Sequence, residues 1–217
     1  MSRKNSNFVV SGDYSTSLTL PVFNAVAKGT SCLDVGCFNG NLGRELIREK
    51  GCVVDGIDYR EDMLKEAKKN GYRNTYLHDL SDQKLNFSDI SEKYDFIIFA
   101  DVLEHLVNPK GVLALLKPKL KDDGRVIISL PNVAFILNRF FLLIGKWDYK
   151  EFGTLDKTHL KFFTIKSAQG MVEESGFKVR KITPYNQFKK LTLVKPFLKI
   201  FPGLFAYQFL IECEKAK

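Results

Sequence analysis

Residues 33–43 read Leu-Asp-Val-Gly-Cys-Phe-Asn-Gly-Asn-Leu-Gly, an apolar strand that runs into a glycine-containing turn and then a helix. Further along, a second strand, Val53-Val54-Asp55-Gly56-Ile57-Asp58, ends in a carboxylate. Glycines in the turn let the backbone approach a ligand closely. The helix that follows points free N–H groups at that ligand, and Asp58 stands where a carboxylate accepts hydrogen bonds from a ribose diol. This pairing predicts an α/β chain with an adenosine-containing ligand at the carboxyl ends of its strands.

Two ligand classes fit poorly. A nicotinamide or flavin site wants Gly-x-Gly-x-x-Gly, whose second glycine makes room for pyrophosphate; here Phe38 occupies that position. A phosphate-cradling Gly-Lys-Ser/Thr is also absent from the turn. The stretch instead resembles the first motif of the class I S-adenosylmethionine (SAM)-dependent methyltransferases, Asp-x-Gly-x-Gly-x-Gly, with Asp34, Gly36 and Gly40 in place and Phe38 departing from the pattern. The resemblance continues through Tyr76-Leu77-His78-Asp79-Leu80, like the acidic third motif, and Tyr94 to Leu106, like the fourth strand and its turn. Lys119 to Asn132 matches the fifth strand. It implies a doubly wound, Rossmann-like, seven-stranded and mostly parallel sheet in the order 3-2-1-4-5-7-6, with helices on both faces. It also implies SAM as cofactor, held by Asp34, Gly36, Cys37, Phe38, Gly40, Asp58, Tyr59, Asp79, Leu80, Asp101 and Val102.

Within that family, Pro131 to Lys181 is similar to a bacterial subgroup of lipopolysaccharide, O-antigen and related glycan pathways (methyltransferase domain 23-like). The shared element is Asp156-Lys157-Thr158-His159-Leu160-Lys161-Phe162-Phe163-Thr164. The implied reaction is methyl transfer to a hydroxyl of a sugar or a nucleotide- or lipid-linked glycan intermediate. His159 would act as the base, since an imidazole titrates near neutrality, with Asp156 as its orienting partner. Tyr14, His105 and Asn132 are further candidates for contact with the acceptor. No metal is expected, because no carboxylate–histidine cluster has a metal's ligand spacing along the chain.

Composition sets the remaining bounds. A chain of 217 residues, 45% hydrophobic, suits one α/β core. We expect a single domain over 1–217: an N-terminal lid (1–29), a SAM-binding core (30–130) and acceptor-site insertions with the last strands (131–217). No leader-like apolar run and no membrane-length span appears, and Cys32, Cys37, Cys52 and Cys213 lack metal-site spacing, which points to a reducing cytoplasm. The net charge of +8 is uneven: residues 1–108 carry 13 Lys/Arg against 16 Asp/Glu, and residues 109–217 carry 20 against 9. A basic acceptor half points to an anionic small-molecule or glycan partner. Two apolar stretches, 133–145 and the lysine-bearing 189–204, would roof the acceptor pocket, form a homodimer contact or rest peripherally on the inner membrane face. Nucleic acid is not the favoured partner, since no Asn/Asp-Pro-Pro-Tyr follows the fourth strand. Alternatives are a non-catalytic SAM-binding subunit, a nucleic-acid methyltransferase, or a small lipid or quinone methyltransferase.

Overall fold

The computed structural model describes residues 16–186 and 195–216. Tyr14 and the front of the expected lid lie outside these residues, as does part of the stretch 189–204. The strands are β1 (Ser31–Val35), β2 (Val53–Asp58), β3 (Thr75–Leu77), β4 (Tyr94–Ala100), β5 (Leu120–Pro131), β6 (Phe177–Tyr185) and β7 (Gln208–Lys215). They form one seven-stranded sheet in the order β3-β2-β1-β4-β5-β7-β6. β1 to β5 pair in parallel, whereas β7 runs antiparallel between β5 and β6. Order and directions are those the sequence resemblance implies.

Alternation along each strand feeds two cores. Leu33, Val35, Ile97 and Phe99 face one side, where α4 (Pro109–Leu116) and α6 (Ile165–Glu174) add Leu113, Leu116, Met171 and Val172. Cys32, Val54, Phe96 and Ile98 face the other, covered by Val22 of α1 (Thr16–Ala25), Leu46 of α2 (Asn41–Lys50) and Leu64 of α3 (Glu61–Lys69). A sheet covered on both faces needs strands apolar throughout, which is why Phe96 to Ala100 shows no polar alternation. Burying each such side chain contributes about 1.5–3 kcal/mol.

Local signals place the helix ends. Asn108 accepts a hydrogen bond from the Gly111 amide at 3.0 Å, with Pro109 at the first helical position of α4. Thr164 and Ser167 form a reciprocal capping box on α6. Pro21 lies inside α1. The last strand begins at Gln208, after Ala206 closes the short helix α8 (Pro202–Phe205). α7 (Lys195–Ile200) and α8 are separate, and Pro202 opens the second.

Candidate active site

The carboxyl ends of β1, β2 and β4 carry the glycine turn. The amides of Gly36 and Cys37 both donate to the Ile57 carbonyl, at 2.8 and 2.9 Å, which hooks the turn onto β2. Gly36, Phe38 and Gly40 all have positive φ, at 72°, 48° and 78°. At Gly36 a Cβ would lie 2.7 Å from a methyl of Val102, so glycine is also what lets the turn cross the end of β4. Gly40 answers to a residue that sequence reasoning missed, Tyr72. A Cβ at Gly40, Gly43 or Gly56 would stand 2.7, 2.3 or 2.8 Å from the Tyr72 ring. The Tyr72 hydroxyl donates to Asp34 at 2.6 Å and accepts from the Gly43 amide at 3.1 Å. Asp34 is therefore a buried brace for the loop. Burial and the Asp58 charge push its pKa up to about 6, even though the Tyr72 bond opposes the rise.

Asp58 ties the same turn from the other strand. One carboxylate oxygen accepts from the Phe38 amide at 2.8 Å and the other from the Arg60 amide at 2.9 Å. Each oxygen keeps a lone pair, which suits a ribose diol. Phe38 is half exposed, with the Arg60 guanidinium 5.7 Å from its ring centroid, and Tyr59 is exposed beside it. Asp79 is exposed just past β3, where it accepts from the Ser81 amide at 2.8 Å, while Leu80 packs against the core. Cys37 is buried against Gly56, so its backbone rather than its thiol belongs to the turn. The residues fit a cofactor with a ribose and no phosphate: a carboxylate with free lone pairs, flanked by exposed aromatic rings.

Just past β4 stands Asp101, a non-glycine residue at φ 55°. Its carboxylate accepts from the Ser129 hydroxyl at 2.9 Å and from the Gln208 amide at 3.1 Å. Burial raises its pKa despite both bonds. The one-turn helix Leu103–His105 follows, and the Glu104 carbonyl accepts from the amides of both Leu160 and Lys161 at 2.9 Å. This clamp carries His159 to the helix although some fifty residues separate them in the chain. The His105 and His159 rings meet edge to face, with centroids 4.9 Å apart.

The structure corrects three expectations here. Asp156 does not orient the His159 ring; its carboxylate accepts from the amide and hydroxyl of Thr158, at 2.8 and 2.6 Å, and the Thr158 hydroxyl in turn meets His105 Nδ1 at 3.1 Å. His159 touches Asp156 through its backbone amide instead, at 3.1 Å. Asn132 is not available to an acceptor: its fully buried side chain donates to the carbonyls of Gly203 and Ala206 and accepts from the Ala134 amide, so it locks β5 to α8. Finally, the fold does bring carboxylate and imidazole together. Ligand-capable atoms of Glu104, His105 and His159 lie within 4.8 Å of one another, a cluster that could hold a cation and that sequence spacing alone does not reveal.

Two members of this cluster each hold one buried atom without a partner. Glu104 Oε2 and His159 Nδ1 are buried without a hydrogen bond, as is the Thr183 hydroxyl on β6. Burial, with the Asp101 and Asp156 carboxylates nearby, pushes Glu104 well above the usual carboxylate range. Burial and the neighbouring His105 hold His159 below the ordinary 6.5, though Asp156 and a bond to the Thr154 backbone pull the other way. At neutral pH, His159 is therefore uncharged and Nδ1 can accept a proton.

A family model for a methyltransferase domain matches residues 16–182. The chain is 33% identical to the ubiquinone biosynthesis O-methyltransferase of Glaesserella parasuis serovar 5, over 76% of this chain and 71% of that protein. With other curated relatives of the same name, the match spans about half of their length. Among solved structures, a SAM-dependent methyltransferase from Mesorhizobium loti superposes with a TM-score of 0.64 at 16% identity, covering 91% of this chain and 98% of that one. The 1,6-didemethyltoxoflavin-N1-methyltransferase of Burkholderia thailandensis, solved with S-adenosylhomocysteine, superposes at 0.61 and 14% identity, covering 93% and 79%. The chain thus belongs to the methyltransferase-domain family and is a SAM-dependent methyltransferase of class I.

Proposed function

We propose that the chain methylates a phenolic oxygen of an aromatic, quinone-precursor type of acceptor, with His159 as the base. The observation that carries this reading is the pair of buried, partnerless atoms His159 Nδ1 and Glu104 Oε2 beside Asp101. An unmatched buried polar group costs about 1–3 kcal/mol, so a pair at the mouth of the sheet is matched by a bound acceptor.

The bound cofactor supplies an electrophilic methyl group on a sulfonium. The chain must place the acceptor oxygen in line and remove its proton. His159 takes that proton at Nδ1, and the Thr154 backbone holds the ring. Burial favours the acid form of Glu104, which donates a hydrogen bond to a second oxygen of the acceptor. A histidine with a lowered pKa is a weak base. It matches a phenol, whose pKa is about 10, far better than an aliphatic sugar hydroxyl. The names of the curated relatives point the same way, toward quinones rather than glycans.

The test is methyl transfer from labelled SAM to a panel holding catechol-type quinone precursors and nucleotide-linked sugars. Transfer to the phenols that disappears in His159→Ala supports the proposal. Transfer confined to the sugars would return the acceptor to the glycan class, and cofactor binding without transfer to any phenol would favour a non-catalytic subunit.

A further inference from the structure

Helix α5 (Ile136–Leu143) is turned inside out. Its buried residue is polar: Asn138 donates to the Val133 carbonyl and the Thr154 hydroxyl, at 3.0 and 2.8 Å. Its apolar residues face outward, with Leu137, Phe140, Leu142, Leu143 and the following Ile144 all more than half exposed and Leu143 at 84%. Contiguous apolar surface of this kind marks an interaction site.

Cations surround it. Arg139 lies on the helix, Lys146 follows it, and the Lys150 ammonium stands 5.7 Å from the Phe141 ring centroid. Alongside runs an open groove of about 470 Å³ lined by Arg139, Lys166, Thr164 and Gln169, with room and charge for a phosphodiester. Trp147, the single tryptophan of the chain, is half-buried at the end of the helix, 5.7 Å from the Phe162 ring.

We propose that this face seats on an anionic lipid surface, with the exposed apolar side chains in the acyl boundary and Arg139, Lys146 and Lys166 at the headgroups. A short helix lying in the interface with apolar residues down, cations around it and a tryptophan at its end matches the physics of interfacial binding. A second copy of the chain fits less well, because a two-fold contact would set the same cationic rims against each other. The inference does not depend on which acceptor is methylated.

The experiment uses the full chain with phosphatidylcholine vesicles, with and without phosphatidylglycerol, read by cosedimentation and by Trp147 fluorescence. The expected result is binding that requires phosphatidylglycerol, shifts Trp147 to the blue and weakens with salt. The exposed pair Leu142→Asp/Leu143→Asp should weaken it roughly tenfold or more, and Lys146→Glu should do so to a smaller extent. Unchanged S-adenosylhomocysteine binding verifies that the variants are folded. No binding to the anionic vesicles, or binding that the Leu142→Asp/Leu143→Asp variant leaves intact, would overturn the proposal. So would dimerisation without lipid that the same variant abolishes, which would give the face to a second copy.

Discussion

In the cofactor half, the buried carboxylates are matched; on the other side of the glycine turn Asp101 and Asp156 are matched too, but Glu104 is not. Asp34 has Tyr72, Asp58 has two backbone amides, and Asp55 takes Arg73, Tyr94 and the Asn74 amide. Across the sheet, Glu104 and His159 each leave a buried atom with no hydrogen bond, and the Thr183 hydroxyl of β6 does the same. The first half is a finished cradle that needs only its ligand to settle into it. In the proposed function, the second holds unpaired polar groups for a substrate to satisfy. A site that binds one cofactor for every reaction can be rigid, whereas in the proposed function the orphaned groups select the acceptor.

The contrast can be broken at several points. Asp58→Ala should remove both the tie to the glycine turn and the ribose acceptors. Loss of two charge-assisted hydrogen bonds predicts S-adenosylhomocysteine affinity lower by roughly 100-fold or more, measured by calorimetry. Retained affinity would mean the ribose lies elsewhere. Gly43→Ala drives a methyl to within 2.3 Å of the Tyr72 ring and hydroxyl. A destabilisation of about 3 kcal/mol is expected in denaturant melts, typical of overpacking.

The Asp34 brace predicts a pH effect of similar size. Its pKa rises from 3.8 to about 6 on folding, so its favourable contribution is complete below pH 3.8 and is lost as pH climbs through 6. Asp34→Asn should therefore gain about 2–3 kcal/mol on the wild type between pH 4 and 7.5, by comparison of denaturant melts. A difference that stays constant with pH would show that the carboxyl does not titrate on folding. The smallest effect belongs to Phe38→Gly. Relief of a side chain at φ 48° is worth at most about 1 kcal/mol of stability, with cofactor binding intact. A sharp fall in cofactor affinity would instead make the Phe38 ring a ligand contact.

The sequence displayed the fold through period and punctuation. Apolar strands that end in Asp58 and Ala100, the Asn108-Pro109 and Thr164 caps and the positive-φ Gly176 all act locally. The cofactor turn was legible for the same reason, but the purpose of its glycines was not. Gly40, Gly43 and Gly56 make room for one tyrosine, and nothing near Tyr72 in the chain announces a ring that will be wedged among three glycines. A glycine in a helix, such as Gly43, was the available signal, since it costs about 1 kcal/mol against alanine unless something needs the space.

The acceptor site was legible residue by residue and not as an arrangement. His159 was marked by its motif, yet its neighbours come from a different segment and are gathered by two hydrogen bonds to the Glu104 carbonyl. Asp156 looked like its partner because it stands three residues away, and the turn spends that carboxylate on Thr158. Tyr185 and Thr183 escaped notice because only the antiparallel pairing of β6 with β7 brings Tyr185 level with Gln208 and the edge that holds Asp101. Long-range pairing of this kind leaves no periodic trace.

The most direct measurement sets turnover beside cofactor binding in one variant, His159→Ala. If the two halves divide the work as described, S-adenosylhomocysteine binding is unchanged while methyl transfer falls roughly 100- to 10,000-fold. In the wild type, the acid limb of the rate–pH profile should lie below 6.5 and vanish in the variant, since His159 is held below that value. Transfer at wild-type rates, or loss of cofactor binding together with turnover, would contradict the assignment of His159 as the base.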